Sequence, residues 1–78
     1  MDYQELKEQA LSSIYLKIQS GQIFEVRDLF LGADWEHLSR GDRIGFGRFF
    51  SNEVDAGKIP SIEKVRKATN NHRQYKKL

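Results

Sequence analysis

The side chains that could perform catalysis are scattered along the chain, and their spacing fits none of the common catalytic arrangements. The two histidines, His37 and His72, are far apart, and neither has a second histidine at the spacing of a helical metal site. No serine stands in a Gly-x-Ser-x-Gly context, no phosphate-binding glycine loop is present, and the chain has no cysteine. We therefore predict no catalytic residues, no metal site and no cofactor, and a protein that is not an enzyme.

The cationic residues carry the clearest chemical signal because they are concentrated at one end of the chain. Residues 58–78 hold seven Lys and Arg against one acid, whereas residues 1–57 hold six against ten. This asymmetry predicts a basic surface in the C-terminal part and a polyanionic partner for it. The alternative is a solvated basic tail that binds nothing.

Arginine and asparagine side chains on one predicted helix could read nucleic-acid bases. Arg48 and Asn52 lie one turn apart, with Arg40 and Arg43 near the start of that helix. Arginine can bond guanine through two hydrogen bonds, and asparagine can do the same with adenine. Cations after Pro60 would bind backbone phosphates: Lys64, Arg66, Lys67, Arg73, Lys76 and Lys77. Acids on the same helix oppose this hypothesis because they would repel phosphate: Asp42, Glu53 and Asp55.

Apolar periodicity predicts the elements that precede this helix. Apolar residues recur at spacings of three and four over residues 3–19, which predicts a first helix that Asp2 caps and Gly21 ends. Residues 22–26 are typical of a short strand. A short helix is predicted over 27–31 and stopped by Gly32. One more turn, capped by Asp34, would place Trp35 and Leu38 on one face.

The third helix is predicted to begin after Ser39, a good N-cap residue, and to stop at Gly57 and Pro60. Its predicted apolar face contains Ile44, Phe46, Gly47, Phe50 and Val54, and the opposite face contains Gly41, Gly45, Arg48 and Asn52. Two glycines inside a helix cost about 1 kcal/mol each relative to alanine. We therefore expect another backbone or a bulky ligand to approach closely there. This notch would bring the helix near phosphates or receive a partner helix.

The segment after Pro60 predicts a basic β-hairpin, with strands at 62–67 and 72–77 around a turn at 68–71. The predicted fold class is therefore α+β. It is a winged helix-turn-helix with three helices, a short strand and a C-terminal hairpin wing, forming a single domain over residues 1–78. A three-helix bundle with a frayed basic tail is the alternative.

Composition predicts an ordinary globular chain, with 38% hydrophobic and 31% charged residues. The residues expected to be buried together are Phe24, Leu29, Phe30, Trp35, Leu38, Ile44, Phe50 and Val54. No apolar run approaches the roughly 20 residues that span a bilayer. The N-terminus does not have the pattern of a signal peptide, so we expect a cytoplasmic protein without membrane contact.

A series of motifs along residues 23–77 can be compared with known families. The motifs are Phe24-x-Val26-Arg27-Asp28-Leu29-Phe30, Trp35, Leu38-Ser39-Arg40-Gly41-Asp42-Arg43-Ile44, Gly47-Arg48, Phe50, Val54, Gly57-Lys58-Ile59-Pro60 and Asn71-His72-x-x-Tyr75-Lys76. In these residues the chain resembles a family of small uncharacterised proteins, a domain of unknown function found in bacteria and their mobile elements. The resemblance implies a winged-helix-like fold, and members are sometimes labelled as DNA-binding.

Two functions from different classes follow from these observations. The first is a nucleic-acid-binding module, a small DNA-binding transcription regulator whose third helix enters the major groove of duplex DNA while the basic hairpin contacts phosphates. The second is a small protein-interaction module or inhibitor on the same scaffold, because a fold does not determine a function. In that case the acidic first helix could form a homodimer face.

Overall fold

Three helices and a small antiparallel sheet form the part of the chain that the computed structural model describes, residues 2–65 and 73–78. In chain order the elements are α1 (Tyr3–Lys17), β1 (Ile23–Glu25), a 3-10 helix (Val26–Leu29), α2 (Gly32–His37), α3 (Arg40–Asp55), β2 (Ile62–Lys64) and β3 (Gln74–Lys77). The predicted α+β class is confirmed. The alternative of a helical bundle with a frayed tail is wrong, because β3 pairs with both other strands.

Helix α1 begins where the sequence predicts it. The Asp2 carboxylate accepts hydrogen bonds from the backbone N–H groups of Gln4 and Glu5, which have no partner inside the helix. The helix ends slightly earlier than predicted because Ile18 is already extended. Gly21 has φ +87°, a conformation that glycine adopts without strain, and turns the chain into β1.

The segment between β1 and α3 differs from the prediction. Residues Val26–Leu29 form a 3-10 helix, in which the Asp28 carboxylate accepts a hydrogen bond from the Glu25 N–H at 2.8 Å. Phe30 is extended, and Gly32 is the first residue of α2 rather than a stop signal. The prediction failed because glycine, although commoner just after a helix, can also occupy the first turn of one.

Helix α3 confirms the predicted cap, since the Ser39 hydroxyl accepts a hydrogen bond from the Asp42 N–H at 3.1 Å. Phe46 and Phe50, one turn apart, are completely buried and lie at the centre of its inward face. Ile44 was predicted to be buried, which is wrong: its side chain is 48% exposed. With 3.6 residues per turn, a helix that turns Phe46 and Phe50 inward must turn Ile44 outward.

The sheet has the strand order β1-β3-β2, so the last strand lies in the centre. Both pairings are antiparallel, and Tyr75 lies opposite Phe24 on one side and Lys64 on the other. The predicted hairpin pairing is confirmed for Ile62–Lys64 and Gln74–Lys77. Val65 and Arg73, also predicted as strand, lie just outside the strands. The other predicted strand residues, 66, 67 and 72, and the predicted turn at 68–71 lie outside the described residues.

The core joins the sheet to the helices through aromatic rings. The ring of Tyr75 lies 5.1 Å from that of Phe50 and 6.0 Å from that of Phe24, between centroids. The buried residues of the core are Ala10, Ile14, Ile18, Phe24, Leu29, Phe46, Phe50, Ile59, Ile62 and Tyr75. Of the predicted core, Phe24, Leu29 and Phe50 are buried, Phe30, Trp35 and Val54 pack against the core while partly exposed, and Leu38 is half-buried.

Candidate functional site

An open groove of about 1200 Å³ runs along the outward side of α3. Helix α3 forms one wall, and the opposite wall consists of the 3-10 helix, α2 and the residues beside them. Arg73 and Tyr75 reach the groove from the sheet. Three parts of the chain therefore meet at this surface.

The predicted base-reading residues lie together in this groove. Arg40, Arg48 and Asn52 are exposed, line the groove and are spaced by multiples of four residues, which places them on one face of α3. Arg43 is half-buried at the edge of the same groove. These four side chains of α3 therefore line one groove.

Arginine dominates the charge of the groove, with five guanidinium groups facing three carboxylates. Arg27 forms an ion pair with Glu25, at 3.3 Å between Nε and Oε1. The other four arginines form no ion pair with a described residue: Arg40, Arg43, Arg48 and Arg73. Four positive groups are therefore available to a ligand.

The pleat of β3 explains why Arg73 reaches the groove and other hairpin cations do not. Side chains alternate between the faces of a strand, so Arg73, Tyr75 and Lys77 share the face that packs on the helices. Arg73 lines the groove and Tyr75 enters the core. Lys77 donates hydrogen bonds from Nζ to the carbonyl oxygens of Ile14 and Ile18, at 3.0 and 2.7 Å. Its ammonium group therefore satisfies the C-terminal end of α1.

The remaining predicted phosphate-binding cations do not line this groove. Lys64 forms an ion pair with Asp55, at 2.8 Å between Nζ and Oδ2. Lys76 pairs in register with Glu63 and Ile23, on the face of the sheet opposite Tyr75. Arg66 and Lys67 lie outside the described residues.

Two of the acids that argued against nucleic-acid binding are engaged elsewhere. Glu53 accepts a hydrogen bond from Lys7 at 2.9 Å and lies 3.5 Å from the ammonium group of Lys58. The hydrogen bond with Lys7 lowers the pKa of Glu53 below its ordinary value of 4.5. Asp55 is neutralised by Lys64, and neither carboxylate lines the groove. Asp42 is half-buried in the first turn of α3 and does not line it either.

The two glycines of the predicted notch have different surroundings. A Cβ atom placed on Gly45 would overlap the hydroxyl of Tyr3 and lie 3.0 Å from its Cζ. The close approach is made by the side-chain ring of Tyr3 from α1 and not by another backbone or a ligand as expected, so no partner helix or ligand can occupy that position. Gly41 is open, with only the Ser39 hydroxyl near a built Cβ, at 3.9 Å.

Among the groove-lining side chains that sequence reasoning did not assign to the site are Arg27, Trp35 and Ile44. Trp35 stacks on Phe30, with ring centroids 5.5 Å apart and planes inclined by 19°. The signal for Ile44 was present, since it lies four residues from both Arg40 and Arg48 and therefore on their face.

Tyr75 is a groove-lining residue whose pKa is shifted. Burial raises the pKa of the Tyr75 phenol above its ordinary value of 10.0, and a hydrogen bond with Ser51 opposes this shift, so the phenol is neutral at physiological pH. No group of three or more acidic or histidine side chains within residues 2–65 and 73–78 could hold a metal ion. Within the same ranges, no helix has the length and apolar character needed to cross a membrane.

Comparison with known proteins identifies a family without assigning a role. The model of the family described as a domain of unknown function, DUF1413, matches residues 8–77. No curated protein and no solved structure matches the sequence. The matched region contains every residue that lines the groove. Because the match covers most of the sequence, the chain belongs to the DUF1413 domain family.

Proposed function

We propose that this protein is a winged helix-turn-helix module that binds duplex DNA, with α3 in the major groove. The observation that carries the proposal is a set of four arginines around one groove beside α3 that form no ion pair with any described residue: Arg40, Arg43, Arg48 and Arg73. Cations left unpaired on one surface favour a polyanionic ligand. A module of this kind would regulate transcription by occupying its site.

The order of the elements supports the winged-helix part of the proposal. Helix, strand, two helices and a hairpin follow one another, and β1 lies beside β3 at the edge of the sheet. Helices α2 and α3 are separated by only Leu38 and Ser39. In helix-turn-helix proteins the second helix of such a pair contacts the bases.

The dimensions of α3 support duplex DNA as the ligand. A helix with side chains is about 10–12 Å wide, and the major groove of B-form DNA is about 12 Å wide. The deep, narrow major groove of A-form RNA does not admit a helix. Arg48 and Asn52 would then meet base edges, while Arg40, Arg43 and Arg73 would contact phosphates.

The beginning of α3 adds a second electrostatic contribution. The N-terminal end of a helix carries a partial positive charge and N–H groups without intrahelical partners. Gly41 lies in this first turn and leaves its backbone open to solvent. A phosphate could therefore approach the backbone more closely there than beside a residue with a side chain.

The salt dependence of DNA binding tests the proposal. Three phosphate contacts predict a slope of about −2.7 for log K against log salt, so that Kd rises about 40-fold between 50 and 200 mM. Fluorescence anisotropy with a labelled duplex of about 30 base pairs measures this slope, and such a duplex covers one footprint. Failure to bind duplex DNA at the lowest salt, or binding that does not change with salt, would contradict the proposal.

A matched pair of variants separates the groove from the overall charge of the molecule. Arg40→Gln should make the slope shallower by about 0.9, because one counterion fewer is released. Lys17→Gln removes one positive charge from α1, away from the groove, and should leave the slope unchanged. Equal effects of both variants would show that the groove is not the contact surface.

A further inference from the structure

The exposed side of α3 carries one large apolar residue among polar ones. Ile44 is 48% exposed, although the other large apolar residues of this helix pack in or against the core. It lies one turn after Arg40 and one turn before Arg48, and all three line the groove. The apolar contact is thus in the middle of the arginine-lined surface.

We propose that Ile44 is a specificity-determining residue that recognises the methyl group of thymine, and that the DNA sites of this protein contain thymine opposite it. This inference rests on the proposed function. In the major groove the C5 methyl of thymine is the apolar feature that distinguishes an A·T pair, and apolar side chains contact it. The guanidinium and amide groups of arginine and asparagine bond instead to the polar base edges.

The side chain of Ile44 suits this role physically. A β-branched residue in a helix has one strongly preferred χ1 rotamer, so little conformational entropy is lost when it contacts a base. Asn52 lies two turns further along α3 and also lines the groove. Its amide group can bond adenine. The two residues together favour sites rich in A·T pairs.

Replacement of thymine by uracil removes only this methyl group and leaves base pairing intact. Duplexes would first be selected from a random pool by the wild-type protein, and the best one resynthesised with uracil at each thymine in turn. We expect one or two positions at which uracil raises Kd about fourfold, the value for losing one buried methyl-sized group. If uracil leaves Kd unchanged at every thymine position, the inference is overturned.

Two variants assign the effect to a residue. Ile44→Ala should weaken binding to the thymine duplex and abolish the difference between thymine and uracil at those positions. Because Ile44 is exposed and alanine favours helix, this variant should fold normally. Leu16→Ala, at a residue that is 75% exposed on α1, should retain the full difference. A difference that persists in Ile44→Ala would overturn the inference while leaving the proposed function intact, whereas failure to select any duplex would remove both.

Discussion

At the scale of single residues, the glycines of α3 show how one residue type serves different purposes in one helix. Gly45 is required by packing, because the Tyr3 ring occupies the space of a Cβ. That ring also packs against Phe46 and Phe49, with centroids 6.1 and 5.9 Å away. At Gly47, two residues further on, no described atom beyond the adjacent residues and the helix's own backbone lies within 4 Å of a built Cβ. Of these two glycines, Gly45 is the one against which a side chain of α1 packs.

Alanine substitutions at these two glycines should change stability in opposite directions. Gly47→Ala should raise the free energy of unfolding by about 0.5–1 kcal/mol, because alanine favours helix and meets no obstacle. Gly45→Ala should lower it, since Tyr3 must leave its place against the two phenylalanines. Urea unfolding followed by circular dichroism measures both. In a Tyr3→Ala background Gly45→Ala should become stabilising, and a persistent loss there would show that another contact is responsible.

At the scale of elements, two lysines act as connectors between parts of the fold. Lys77 extends from β3 to the last carbonyls of α1, and Lys7 extends from α1 to Glu53 of α3. Some of the positive charges that the sequence assigns to a basic surface therefore hold elements of the fold together.

Removal of the Lys77 ammonium group should destabilise the fold without affecting DNA binding. Lys77→Met keeps most of the aliphatic stem and should lower the free energy of unfolding by about 1–2 kcal/mol, because two carbonyl oxygens lose a charged donor. Lys76→Met, on the other face of β3, is the control and should lower the free energy of unfolding by less. Measurement of both the free energy of unfolding and the salt slope of DNA binding distinguishes a structural role of Lys77 from a phosphate-binding role. An unchanged stability with a shallower slope would place Lys77 on phosphate instead.

The Lys7–Glu53 connection should make stability depend on pH in the acid range. The pKa of Glu53 is lowered in the folded state, so its contribution is complete above its ordinary value of 4.5 and is lost as pH falls through the folded value. Glu53→Gln should therefore be less stable than wild type near pH 6, and the difference should shrink towards about pH 3.5. Urea midpoints at both values measure it. Glu8→Gln, at an exposed residue of α1, should show no such change, and a pH-independent Glu53→Gln difference would exclude the ion pair as its cause.

At the scale of the whole molecule, one aromatic contact joins the sheet to the helix that carries the proposed DNA contacts. Phe50 is fully buried and meets Tyr75 of β3 edge to face. Arg73 lies two residues before Tyr75, so the same contact that closes the core also brings Arg73 to the groove. Core packing and the charge of the groove are therefore linked.

Truncation of Phe50 should unfold most of the molecule. Phe50→Ala should cost about 3–5 kcal/mol, which approaches the whole stability expected of a domain this small. Phe49→Ala is the matched control. Because Phe49 is only partly buried, its truncation should lower the free energy of unfolding by less. Urea unfolding followed by the fluorescence of Trp35 measures both. A cooperative Phe50→Ala protein that is no less stable than Phe49→Ala would contradict this description of the core.

The sequence alone determined those features that depend on residues within a turn of one another. Asp2 and Ser39 predicted where α1 and α3 begin, because a cap acts on N–H groups two or three residues away. Arg40, Arg48 and Asn52 could be placed on one face for the same reason, since helical periodicity is local. Ile44 was placed on the wrong face, although its spacing from Arg40 and Arg48 already put it on theirs. Gly32 was misjudged because a glycine between two short helices can end the first or begin the second until neighbours pack on it.

Only the tertiary structure decided which cations meet a ligand and which hold the fold together. Lys64, Arg73 and Lys77 are equivalent in a sequence that shows only their charge. Lys64 binds Asp55 of α3 and Lys77 binds a carbonyl oxygen of α1, 9 and 63 residues away in the chain, whereas Arg73 lines the groove without an ion pair to a described residue. Packing brings those partners near. A buried or half-buried ammonium group then binds the carbonyl or carboxylate beside it, because an ammonium group without a partner away from water costs several kcal/mol.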